Sequence, residues 1–105
     1  MPQFNVYINT NSASRDIYPY LIDVQSSLLD NLETRLVIPL ITKSKYGNNS
    51  IKNLTPSILV KNQEYYALTP QIAAISKKKL GKVIDNCKTF RNEIISSIDF
   101  LITGF

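Results

Sequence analysis

The sequence predicts an α+β fold, a mainly antiparallel sheet or small barrel covered at one point by a C-terminal helix. Three observations carry this. About six short apolar or alternating stretches, separated by turn residues, fill the chain as far as Ser76. From Phe90 onwards, large apolar residues recur at spacings of three and four, the helical period. The length, 105 residues, allows one modest core, so residues 1–105 form a single domain.

Gln3 to Asn9 alternate: Phe4, Val6 and Ile8 face one way, and Gln3, Asn5, Tyr7 and Asn9 the other, as in a half-buried strand. Asn9 to Asp16 is rich in Asn, Ser and Thr and reads as a flexible loop. Tyr18-Pro19 enforces an extended conformation, and the strand to Gln25 has Tyr20, Ile22 and Val24 inside, with Asp23 and Gln25 outside. Ser26 to Thr34 is a connector containing Leu28 and Leu29; adjacent leucines cannot face the same side, so one is expected to be exposed. Arg35 to Thr42 is a nearly continuous apolar run, a strand buried on both faces, and Pro39 within it implies a bulge or an unpaired edge. Two-sided burial in so small a domain points to a second subunit.

Lys43 to Asn53 is a polar, basic loop with Gly47-Asn48-Asn49-Ser50 at its tip. Pro56 to Lys61 and Glu64 to Leu68 form a hairpin turning at Asn62-Gln63, Thr69-Pro70 turns again, and Gln71 to Ser76 is a further strand. Lys77-Lys78-Lys79 is a solvated, edge-protecting charge cluster. Leu80 to Asp85 leads into the helix, with Asp85 or Asn86 as its N-cap. The helix buries Phe90, Ile94, Ile95, Ile98, Leu101 and Ile102, and exposes Asn92, Glu93, Ser96 and Asp99; Phe100 points away from the stripe. Gly104 supplies the positive φ of a helix cap, and Phe105 the apolar contact beyond it.

Composition excludes several functions. Without histidine there is no Ser-His-Asp or Cys-His catalysis and no His-containing metal site. Gly47, Gly81 and Gly104 are isolated, so no phosphate-cradling loop exists. The single cysteine, Cys87, allows no internal disulfide and suits a reducing cytosol. No apolar run is long enough to span a membrane, and Met1-Pro2-Gln3-Phe4 does not begin a signal peptide. The net charge of +4 suits an acidic partner.

Tyr18-Pro19-Tyr20-Leu21-Ile22-Asp23-Val24-Gln25-Ser26, Leu28-Leu29-Asp30 and Arg35-Leu36-Val37-Ile38-Pro39-Leu40 together resemble the CcdB family, toxins of type II toxin–antitoxin modules that poison DNA gyrase. Gln3 to Tyr7, Phe90 to Ile95 and the ending of Gly104 plus one apolar residue extend the resemblance over the whole chain; between Lys43 and Lys82 it is one of pattern. The resemblance implies an SH3-like small β-barrel or sheet with a three-stranded extension and a C-terminal helix. It also implies a cytoplasmic homodimer without cofactor or membrane attachment, which catalyses nothing. Its implied partners are the gyrase A subunit, held while DNA is cleaved, and a CcdA-like antitoxin whose acidic disordered segment suits the basic stretches Lys43–Lys52 and Lys77–Lys82. Operator DNA is reached only through the antitoxin, in operon autorepression.

Position by position, the family's gyrase contacts fall on Leu28, Leu29, Asp99, Thr103, Gly104 and Phe105, with Phe4 and Ser26 close by. The best-known family member has a tryptophan where this chain has Thr103, and threonine cannot make the cation–π contact of that ring. Phe105 likewise stands where aliphatic residues are usual. Two other readings compete: an endoribonuclease toxin of the same general fold, using Arg15, Arg35 or Arg91 with Asp16 or Thr34, and a non-toxic dimeric antitoxin-binding module. The first needs an acid and a base beside the scissile phosphate, and no local spacing gathers them.

Overall fold

In the computed structural model, which describes residues 2–104, the strands are β1 (Asn5–Asn9), β2 (Tyr20–Asp23), β3 (Thr34–Thr42), β4 (Ser57–Val60), β5 (Gln63–Ala67), β6 (Ala73–Ser76) and β7 (Leu80–Asn86). The helices are α1 (Lys43–Tyr46) and α2 (Arg91–Thr103). All strand pairs are antiparallel, in the order β4-β5-β3-β2-β1-β7, with β6 also on β3. The fold is therefore α+β, a curled antiparallel sheet with a C-terminal helix, as the sequence predicts.

β3 is shared between two parts of the sheet. Thr34 to Val37 pair with β6, and Leu40 to Thr42 pair with β5, so β3, β5 and β4 make a three-stranded extension. Pro39 stands at the gap between β6 and β5. Its carbonyl accepts from Leu68 N–H at 2.9 Å, so its ring nitrogen faces the same gap, where no donor is required. The β4–β5 turn falls on Lys61-Asn62, one residue earlier than expected. Their φ values of 51° and 66° define the left-handed two-residue turn that matches strand twist.

The seventh strand is the main correction to the sequence reading. Leu80 to Asn86 is not a lead into the helix but an edge strand along β1. At its start the two backbones come so close that a Cβ on Gly81 would lie 2.7 Å from the Ile8 carbonyl oxygen. Neither Asp85 nor Asn86 caps α2. Asp85 Oδ2 instead accepts from Lys61 N–H at 2.9 Å, tying the β4–β5 turn to β7, and Asn86 Oδ1 accepts from Lys88 N–H at 2.9 Å, opening a short 3-10 turn. α2 starts after that turn, with Phe90 at its N-cap position and no side-chain cap.

The core gathers Phe4, Val6, Ile22, Val24, Ile38, Leu40, Ile58, Val60, Tyr65 and Ile94. Alternation fails at two places. In β1, Ile8 is exposed while Tyr7 and Asn9 are buried, the Asn9 amide donating to Ser14 Oγ and the Tyr18 carbonyl of the following loop. In β3 the hydropathy is inverted: Arg35 is fully buried and Leu36 exposed, although Val37, Ile38, Leu40 and Ile41 are buried on two faces. Along α2, Ile94 is fully buried, Phe90, Ile95 and Ile98 are half-buried, and Leu101 and Ile102 are exposed. Ser97 is buried as well. Its hydroxyl meets that of Thr69 at 2.7 Å, fixing the helix on the turn after β5.

Candidate functional site

After β2 the chain makes a 3-10 turn, Ser27–Leu29, capped by Ser26, whose hydroxyl accepts from Leu28 N–H at 3.2 Å. The turn buries no side chain. Both leucines are exposed, Leu28 to 93% and Leu29 to 49%, where the sequence required only one. An apolar turn with no buried side chain relies on polar bonds, and a group of these comes from beneath.

Strand alternation puts Asp23, Gln25 and Arg35 on the face of the sheet opposite Ile22, Val24 and Ile38. Asp23 and Gln25, expected outside, do face away from the core but are buried there. The planar Arg35 fork donates three ways: Nε to Asp23 Oδ2 and Nη1 to Asp30 Oδ1, each at 2.7 Å, and Nη2 to the Gln25 carbonyl at 3.2 Å. Asp23 Oδ1 also accepts from Gln25 N–H at 2.9 Å. Gln25 Nε2 then donates to the Leu29 carbonyl at 3.0 Å, and its Oε1 accepts from Leu36 N–H at 3.0 Å. Burial opposes the Arg35 cation, but Asp23 and then Asp30 outweigh it, and the guanidinium pKa rises above its usual value.

The second group of expected contacts lies at the end of α2. Asp99 and Thr103 are exposed on the helix, and Thr103 Oγ1 donates back to the Asp99 carbonyl at 2.7 Å. Gly104 has φ 79° and donates to the Phe100 carbonyl at 2.9 Å, the left-handed cap that the sequence predicts. Among the described residues, nothing lies within 4 Å of where its Cβ would be, which leaves the backbone here open to a partner. Phe105 lies outside the described residues.

The N-terminal segment bonds the leucine turn and leads into the core. Gln3 N–H donates to Ser27 Oγ at 3.3 Å and Gln3 Nε2 to the Val24 carbonyl at 3.0 Å, and next to it Phe4 enters the core cluster that includes Ile94. Phe4 holds φ 70°, a rare value for an aromatic residue. Both of its backbone groups are bonded, N–H to the Asp23 carbonyl and carbonyl to Cys87 N–H, which is how that conformation is maintained.

Sequence reasoning found the exposed residues and missed what supports them. The Arg35 cluster has one sequence signal, a charged residue opening an apolar strand, and the competing endoribonuclease reading uses the same Arg35. Full burial between two carboxylates removes Arg35 from any ribonuclease site. Arg15 and Arg91 are exposed. Elsewhere on the β2–β3–β6 surface, Leu21, Val37, Pro39 and Ile75 floor an open groove of about 650 Å³, with Lys78 and Lys79 at its rim. Among the described residues, no helix is long and apolar enough to cross a membrane.

The Asp23–Gln25–Arg35 cluster, the leucine turn above it and the glycine-capped helix are formed by the segments that carry the family resemblance. The model of the CcdB protein family matches residues 3–104, and the chain belongs to the CcdB family.

Proposed function

We propose that this protein is the toxin of a type II toxin–antitoxin module, acting as a homodimer on the gyrase A subunit and trapping the gyrase complex that holds cleaved DNA. The observation that carries this is the anchored turn with Leu28 exposed to 93% and Leu29 beside it. Two adjacent leucines held in solvent suit burial in a protein interface, where a few apolar anchors dominate binding. Leu101, Ile102 and the open backbone at Gly104 offer a further apolar surface at the end of α2. Its role is binding, not catalysis: a ligand that prefers the cleaved state of gyrase raises the population of that state.

The antitoxin is the second proposed partner. The groove floored by Leu21, Val37, Pro39 and Ile75 and rimmed by Lys78 and Lys79 suits an acidic segment with apolar side chains. With that antitoxin bound, the toxin joins a complex that represses its own operator, the antitoxin reading the DNA. The protein acts in the cytoplasm. Thr103 supports a second reading, a binder that holds the gyrase A subunit without trapping it, since threonine offers no aromatic face.

Titration of the purified gyrase A subunit tests the main reading. Saturable binding that weakens at least about tenfold for L28A/L29A is expected, as for loss of interface anchors. Undiminished binding by that variant would remove the leucine turn from the site.

A further inference from the structure

The structure assigns to the buried Arg35 cluster a positioning role: through Gln25 and Asp30 it fixes the turn that presents Leu28 and Leu29. The partner in this inference is the one proposed above, but the geometry stands without it. The Ser27–Leu29 turn has no buried side chain, so polar bonds carry much of its orientation, those from Gln25 and Arg35 together with that of Gln3 N–H to Ser27 Oγ. Gln25 joins the turn to the sheet, donating to the Leu29 carbonyl while accepting from Leu36 on β3. Arg35 holds both ends of the same segment, the Gln25 carbonyl before it and the Asp30 carboxylate after it. Asp23, itself fully buried, orients Arg35 and takes the Gln25 N–H. A fork with fixed angles makes three bonds at once only when Gln25 and Asp30 are correctly placed. The leucines are thus preorganised from inside the domain, and less ordering remains to be done on binding.

Two variants test this. Gln25→Met keeps length and removes both side-chain bonds, and Arg35→Lys keeps charge and removes the fork. The first readout is amide hydrogen exchange in the free protein at Leu29 and Asp30, whose N–H groups bond the Ser26 and Ser27 carbonyls. Exchange there should rise by about tenfold or more, the size of one lost buried hydrogen bond, with Ile38 and Leu40 in the core unchanged. The second readout is affinity for the purified gyrase A subunit, measured in a double-mutant cycle. Gln25→Met should weaken binding about tenfold in the wild-type background and have no further effect once Leu28 and Leu29 are alanine, because it acts through them.

Equal losses in both backgrounds would overturn the inference, as would unchanged exchange in the turn or an equal rise throughout the sheet. If the wild-type protein did not bind the gyrase A subunit, the gyrase reading would fall. Faster exchange confined to the turn would then still uphold the positioning role. Should Arg35→Lys fail to fold, Gln25→Met, which leaves the Arg35–Asp23 pair intact, carries both readouts.

Discussion

The leucine turn after β2 and the last turn of α2 both hold aliphatic side chains out in solvent, yet they are held in opposite ways. The turn sits on buried charge: Arg35 and Asp23, both fully buried, lie beneath it. The helix end is an overhang. Burial falls from Ile94, fully buried, to Ile102, 75% exposed, and Gly104 closes it with a local backbone bond. The difference teaches which surface can change without harm to the fold. The helix end is separable from the core, whereas neither Arg35 nor Asp23 beneath the turn can be replaced alone without leaving the other charge buried and unneutralised.

The largest expected effect is at Arg35. Arg35→Met leaves Asp23 buried without its cation and should cost about 3–5 kcal/mol, read from the urea midpoint, and a loss below about 1 kcal/mol would show that the cluster is not a buried ion pair. Ile94→Ala should cost about 2–5 kcal/mol through the cavity it leaves, against less than about 0.5 kcal/mol for Ile102→Ala; similar losses at the two would end the picture of an overhanging helix end. Ser97→Ala should cost about 1–2 kcal/mol, because the Thr69 hydroxyl loses its partner in a buried position. Deleting Thr103 to Phe105 should change stability by less than about 1 kcal/mol while abolishing gyrase binding, since Thr103 is exposed and Gly104 supplies only a cap. An unfolded truncation would make that end a structural cap and nothing more.

Cys87 offers the smallest and sharpest check on burial. Burial and then the Asp85 charge push its thiol up from 9.0 to about 12. A raised folded-state value means that the neutral thiol stabilises the fold fully below pH 9, and that this contribution is lost as pH rises from 9 towards 12. At pH 8 a thiolate-seeking reagent should therefore label the unfolded chain and leave the native protein untouched. Prompt labelling of the native protein would contradict the burial of Cys87.

Much of this was legible in the sequence, and the misses share a cause. Strand alternation and helical period located β1 to β6 and α2, and Gly104 marked its own cap, because each signal is local. Leu80 to Asn86 was missed as a strand because Gly81, Lys82, Asp85 and Asn86 give it a polar edge-strand composition, and its pairing with β1 spans most of the chain. Asp23 is expected outside because hydropathy puts charge there; only the fold brings it together with the opposite charge of Arg35, and with Gln25 and Asp30, between β2 and β3. Leu28 and Leu29 were recognisable as a surface pair, but their support from below was not, since it depends on which face of the sheet Gln25 occupies.

The most direct test of the gyrase reading is a cleavage assay with purified gyrase, ATP and supercoiled plasmid, quenched with a denaturant in the presence of this protein. Linear DNA accumulating with protein concentration is the expected result, and it would show that Thr103 sustains trapping without an aromatic ring. Supercoiling that proceeds with no linear DNA at any concentration would contradict it.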